Sequence, residues 1–437
     1  MNTATRRLRR FAPVVALIGV GALALTACAP EADNTGSGTG SADFTYFGQT
    51  QSSTIIGVLE SLSKDQCAAE NEAAPLKIDV VDGATWDQQL QLLAGQNALS
   101  NLSMGAGTPE LMKQFIDAGQ VVDLTTELDS LGVSDNVLPS ATSLIQRLYG
   151  EDRLYAMPNE INIEGFWYNK QLLSDNGIVP PTTWGDLVEA AATLKAAGVQ
   201  PFVAAGQAGW PVSRLVGNYI LRDLGPDALQ AVADGDASLT DPEYVAAADA
   251  VAQLGKAGYF GDAAGTIDYN IAMNQFLTGG GAFFYMGSWA LANFNNEEEN
   301  KIGADNIGFL PFPDVEGGTG SSDQVPANAG IPLMFTTANY GTNQSAWLKC
   351  VAENYGDQAL NEFGLITGFK VSGDADVPAL TQVVQDVLAN APSSVLWFEA
   401  RFSAEGTTVS QTNAGGLANG SLSGAEFMKL VQDANNG

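Results

Sequence analysis

The sequence contains no histidine, which removes the commonest general base and the commonest zinc ligand and leaves catalytic and metal-site readings without their usual residue. Positive charge is scarce as well, with 19 Lys and Arg against 49 Asp and Glu and a net charge of -30. Such a surface repels a phosphate backbone, which argues against nucleic acid as a partner, and an anionic ligand would need a local reversal of the field. Internal repeats, heptad runs and a second long apolar segment are absent, and nothing calls for a bound cofactor or metal. What is present is length: 437 residues exceed what one hydrophobic core usually holds, so two lobes are expected.

The first residues have their own logic. Arg6, Arg7, Arg9 and Arg10 precede an apolar run from Phe11 to Ala27, which ends in Leu25-Thr26-Ala27-Cys28. A basic head, a short apolar centre and small residues before a cysteine resemble the lipobox of bacterial lipoproteins. That resemblance makes 1–27 a signal peptide and Cys28 the lipidated first residue, on the extracellular face of the cell membrane; an uncleaved anchor is the alternative. Cleavage would leave 15 basic against 49 acidic residues. Residues 28–42, rich in Gly, Ser and Thr, read as a flexible tether. Outside the cell disulfides persist, so Cys67 and Cys350 either pair or remain two buried thiols. A bridge would close a loop of most of the chain, restricting the unfolded state by about 5–6 kcal/mol.

From Asp43 the pattern is βαβα. Asp43–Phe47 alternates as a strand, a helix runs from Ser53 to about Glu70, Leu76–Val81 alternates again, and Trp86–Leu93 is helical. Gln49 and Gln51 then lie on a loop at a strand's C-terminal end, where neutral amides suit hydroxyl-bearing ligands or are simply solvated. Thr108 reads as a helix cap before Pro109. Pro158 extends the chain before Asn159 and Glu160, which suits a strand crossing between lobes or a plain edge strand. Thr183 and Asp186 form a capping box, and Gly206–Pro211 is a loop carrying Trp210.

The stretch 268–294 organises the rest. A helix containing Ile271, Phe276 and Leu277 ends at Gly279–Gly281, an apolar strand runs from Ala282 to Met286, and Ser288 is placed to cap the next helix with Trp289 in its first turn. An aromatic plate just past a strand's C-terminal end is either a ligand platform or core under the turn. Later come a polar Gly-rich loop over 314–326, Asn328, a strand over 331–335, a helix carrying Cys350, and 395–402 with Trp397, Glu399 and Arg401. Ser423 and Glu426 cap the last helix.

Several segments together resemble the extracellular solute-binding proteins of ABC importers, in the family that includes oligosaccharide-binding proteins. Met157-Pro158 followed by Trp167-Tyr168-Asn169-Lys170, then Pro180–Trp184, and Gly279–Trp289 with its Gly-x-Trp, are similar to that family's motifs in order and spacing. Ser100–Met104 departs from it, lacking the Pro-Asp often found there. The resemblance implies a two-lobed α/β fold, each lobe a mainly parallel sheet flanked by helices, with a ligand cleft between lobes. By analogy the first lobe takes 43–158 plus 328–370, which contains both Cys67 and Cys350, and the second takes 159–327 plus 371–437. It further implies a monomer that binds a neutral carbohydrate, with no catalysis, and passes it to a membrane permease. Trp289 is the first candidate for stacking on a sugar ring, then Trp397 and Trp210, with Gln49, Gln51, Glu160, Asn328, Glu399 and Arg401 as polar candidates. Two rival readings remain: a surface glycosidase using Glu160 and Glu399 as a carboxylate pair, and a binding protein for a cation such as a polyamine, drawn by the acidic surface.

Overall fold

The computed structural model describes residues 40–372, 377–391 and 394–436. The expected signal peptide, Cys28 and the expected tether up to residue 39 lie outside the described residues. The last tether residues are held: the Ser41 N–H donates to the Asn339 carbonyl at 3.1 Å, and its own carbonyl accepts from Asn343 Nδ2 and Gln344 Nε2. Ser41 is therefore part of the fold, ahead of Asp43 where the sequence places the first strand.

Among the described residues ten strands make two sheets: β1 (Phe44–Gln49), β2 (Leu76–Val81), β3 (Leu102–Met104), β4 (Asn162–Asn169), β5 (Phe202–Val203), β6 (Phe283–Gly287), β7 (Ile307–Leu310), β8 (Val325–Asn328), β9 (Leu333–Phe335) and β10 (Ser394–Val395). The first sheet has the order β2-β1-β3-β9, parallel except for the antiparallel β3–β9 pair. The second has the order β10-β8-β4-β6-β5, with β7 also on β4. Here the expectation of a mainly parallel sheet needs correction. β4 pairs antiparallel with β6, β7 and β8, and only β5–β6 and β10–β8 are parallel. The chain enters this lobe through β4 and returns to it from three directions, and antiparallel pairing needs no crossover helix.

Each sheet has its own core. The helix Ser53–Lys64 buries Ile55, Val58, Leu59 and Leu62, one face at helical spacing, against the first sheet. Trp347 of the helix Thr342–Phe363 stacks on Phe44 at 4.6 Å, and its indole N–H donates to the Ala74 carbonyl. Cys67 and Cys350 are joined by a disulfide between these layers. The expected single helix to Glu70 stops at Lys64 and restarts at Ala68. The second sheet is covered on both faces, so its strands are largely apolar: Phe166, Phe283 and Tyr285 point into one core, Ile163, Trp167, Phe284 and Met286 into the other.

The chain passes between the sheets at 158–161, at 329–332 and after Gly364. Met157 and Leu333 exchange two backbone hydrogen bonds, the Pro158 carbonyl accepts from Gly368 N–H, and Ile161 N–H donates to the Ile366 carbonyl. The passages are thus laced to one another. Pro158 does precede a crossing segment, as its restriction of the chain predicts. No helix among the described residues is long and apolar enough to cross a membrane.

Two local expectations change because of partners distant in sequence. The Thr108 hydroxyl donates to Asp87 instead of capping its helix, and β8 forms in what reads as loop because it pairs with β4 and β10; the short helix expected around Ile271 does form, as Tyr269–Leu277. Since the disulfide closes most of the chain, Cys350→Ser is expected to lower unfolding free energy by about 2–5 kcal/mol. Urea titration with and without reductant measures this; equal stability of variant and wild type would contradict it.

Candidate functional site: tryptophans around Arg214

Trp289 does not follow a serine cap. Ser288 Oγ instead donates to Asn162 Oδ1 and accepts from Ile163 N–H, both at 3.1 Å, tying the end of β6 to the start of β4. The chain then makes a 3₁₀ turn over Ser288–Ala290, and the indole folds back over Gly287. A Cβ at 287 would lie 2.0 Å from that ring, so the Gly of Gly-x-Trp is required by the tryptophan itself. The ring is partly exposed; its Nε1–H donates to Tyr269 Oη at 3.1 Å, and it meets Trp210 edge to face at 5.4 Å.

Trp210 opens the helix Trp210–Leu224 behind Gly209, whose φ of 75° and abutment on the Gln411 backbone exclude a side chain. Arg214, one turn later, brings its guanidinium to 5.0 Å from the Trp210 ring centroid and 5.6 Å from that of Trp397. Trp397 comes from the C-terminal segment of the second lobe, yet packs against the core of the first. The three tryptophans singled out in the sequence are therefore joined into one group, Trp397 to Trp210 through Arg214 and Trp210 to Trp289 edge to face, and each keeps part of its surface exposed.

Beneath them lies a charged network. Arg214 is ion-paired to Glu164 and, at 3.5 Å, to Glu399, whose side chains are 0% and 2% exposed. Glu164 also accepts from Asn328 Nδ2 at 2.9 Å and Tyr285 Oη at 3.0 Å, while Glu399 accepts from Ser213 and Ser410. Burial pushes the Glu164 carboxyl up, partly offset by Arg214. Burial works against the guanidinium charge too, but Glu164 and Glu399 more than offset it, so Arg214 is held above its ordinary value. Asn328 and Glu399 thus support the aromatic surface from below.

Glu160 sits at the crossing between lobes. It accepts from Asn162 Nδ2 at 2.9 Å, and burial raises its pKa. The Tyr46, Tyr355 and Tyr269 hydroxyls are raised by burial first and then by the charge of Glu160. The first two belong to the first lobe's core, the third touches Trp289. Gln49 ends β1 and is buried, accepting from Gln51 Nε2; Gln51 is partly exposed. Neither is bonded to the tryptophan group among the described residues. Arg401 is exposed and likewise separate from it.

Sequence reasoning missed Glu164, Arg214, Tyr269 and Tyr285. Two signals were available. A carboxylate inside the apolar run Ile163–Tyr168 needs a buried partner, and Arg214 shares a helix face with Trp210.

Two measurements follow from this geometry. Gly287→Ala is expected to destabilise the protein by about 1–3 kcal/mol through overpacking and to shift indole emission; unchanged emission and stability would place the ring elsewhere. Glu160 binds its proton more tightly folded than unfolded. Its contribution to stability is therefore full below its ordinary value of 4.5 and lost as pH rises through the higher folded value. Glu160→Gln should melt above wild type at neutral pH, the gap closing below that window; a gap independent of pH would contradict this.

Known proteins resemble the chain in sequence and in shape. A sequence profile of bacterial extracellular solute-binding proteins matches residues 64–344. An uncharacterized ABC transporter extracellular-binding protein of Pyrococcus horikoshii is 28% identical over 155 residues, covering 35% of this chain and 34% of that protein, about a third of its length. A chitin oligosaccharide binding protein superposes with a TM-score of 0.79 at 21% identity, over 91% of this chain and 100% of the other. A sugar transporter of Bacillus licheniformis in complex with stachyose superposes with a TM-score of 0.70 at 15% identity, over 90% and 98%. At such identities the structural likeness is one of fold. With more than half of its length matched by the profile, the chain belongs to the bacterial extracellular solute-binding proteins.

Proposed function

We propose that the protein captures a neutral sugar or oligosaccharide between its two lobes and delivers it to the permease of an ABC importer, without chemistry of its own. The observation that carries this reading is the meeting of Trp210, Trp289 and Trp397, three segments far apart in the chain, in one partly exposed group. Indole faces suit the apolar faces of pyranose rings, and polar groups take up the hydroxyls at the rim. Glu160, Asn328, Glu399, Gln49, Gln51 and Arg401 are proposed as the polar complement, some through ligand contact and some by holding the rings. The ligands of the structurally similar proteins, chitin oligosaccharide and stachyose, point the same way.

The proposed lobes are 43–158 plus 328–370 and 159–327 plus 371–437, with closure about the three crossing segments. Ligand contacts to both lobes must favour the closed form, because a ligand that bound both forms equally would shift nothing. We place the protein as a monomer outside the cell, held to the membrane by a lipid on Cys28. The glycosidase reading is disfavoured, since Glu399 is pinned by Arg214, Ser213 and Ser410.

A thermal-shift panel of neutral mono- and oligosaccharides tests the reading. A sugar at 100 times its Kd should stabilise by about 2.7 kcal/mol. Trp289→Ala is expected to abolish that shift while leaving the fold intact. A silent panel, or steady hydrolysis of a panel sugar by the purified protein, would overturn the function, and normal binding by Trp289→Ala would remove that ring from the site.

A further inference from the structure

Indole faces set beside buried carboxylates are the chemistry that proteins use to bind cations. The second lobe has both: Trp210 and Trp397, with Glu164 and Glu399 under them. An acidic protein with such a group would ordinarily be expected to take a polyamine or another ammonium or guanidinium solute. In this chain that place is already filled from within. The Arg214 guanidinium lies over both rings and pairs with both carboxylates, and only 14% of its side chain remains exposed. Glu164 accepts further from Asn328 and Tyr285 and Glu399 Oε1 from Ser213 and Ser410, while Glu399 Oε2 faces Arg214 Nε at 3.5 Å as its ion-pair partner.

We infer that Arg214 is the residue that sets the charge class of the ligand: it is a built-in cation that occupies the aromatic and carboxylate cage, closes the cage to cationic solutes, and fixes Trp210 and Trp397 as a surface for uncharged ones. The inference rests on the tryptophan group being the ligand site. It goes beyond the carbohydrate reading by naming what excludes the rival ligand class. The helical offset of four residues joins Arg214 rigidly to Trp210, while Trp397 and Glu399 arrive together from the C-terminal segment. One guanidinium thereby couples two separate pieces of the surface. A lysine would keep the charge but could not span both carboxylates and both rings with a planar fork.

The test uses two probes, ethylguanidinium, which replaces the part of the side chain lost in Arg214→Ala, and spermidine. Wild type is expected to show no saturable change in melting temperature or indole emission with either at low millimolar concentration. Arg214→Ala should open the cage: ethylguanidinium is expected to raise its melting temperature saturably and return its emission toward wild type. Adding Glu164→Gln should weaken that response at least about tenfold, the size expected for loss of one desolvated charge contact. Should Arg214→Ala fail to fold, refolding in ethylguanidinium is expected to recover it, and Arg214→Lys, which keeps a cation, is expected to fold and to ignore both probes. Saturable spermidine binding by wild type that Trp210→Ala removes would overturn the inference. So would an Arg214→Ala protein, folded or refolded, that ethylguanidinium leaves unchanged. No sugar enters these assays, so a silent sugar panel would remove the carbohydrate reading without altering their result.

Discussion

A carboxylate in the middle of an apolar strand imposes a condition on everything around it. Glu164 is fully buried in β4, the strand to which β6, β7 and β8 are all paired. Left alone, such a charge would cost several kcal/mol and would neutralise by taking up a proton. Arg214 meets the condition, and in doing so brings the helix Trp210–Leu224 to the sheet. Because one guanidinium cannot be satisfied by a single carboxylate, Glu399 and the C-terminal segment are drawn to the same point, and Trp397 comes with them. The position of the aromatic surface is a consequence of how one buried charge is paired. A buried pair adds little net stability, but removing one partner strands the other charge, so this one ties the segments that carry Glu164, Arg214 and Glu399 to a single point.

The same economy appears at the crossing between lobes. The passages at 158–161 and beyond Gly364 are hydrogen-bonded to each other, and Met157 pairs with Leu333 beside the third, so a ribbon of hydrogen-bonded backbone forms the connection, with Trp397 packed onto the first core. Glu160 lies on this ribbon, within electrostatic reach of Tyr46 and Tyr355 on one side and Tyr269 on the other. Tyr269 in turn holds the indole of Trp289. The pivot and the aromatic surface are therefore linked through a few named side chains.

Much of this was legible in the sequence, and the limit has a physical form. Local signals survived. The alternation of Phe44–Phe47 is β1, and the capping boxes at Thr183 with Asp186 and Ser423 with Glu426 form as their spacing demands. Trp289 and Trp210 were legible because each follows a turn or loop at the end of an element, and Trp397 through the family resemblance, although the residues that join them were not. What escaped depends on partners far along the chain. Ser288 abandons its cap for Asn162, β8 holds Pro326 in a sheet only because β4 and β10 flank it, and the helix Ala404–Ala418 forms from weak helix formers because its neighbours pack on it. Arg214 and Glu164 escaped for the same reason: the apolar run around Glu164 calls for a buried partner and Arg214 shares a helix face with Trp210, but only the fold brings the two together.

Hydroxyl-radical footprinting read by mass spectrometry bears most directly on the central claim, that three tryptophans from distant segments form one ligand surface. With the sugar that gives the largest thermal shift, at matched radical dose, oxidation of Trp210, Trp289 and Trp397 is expected to fall together with one concentration dependence. Protection elsewhere with Trp289 unchanged, or protection of the three rings at different sugar concentrations, would contradict it.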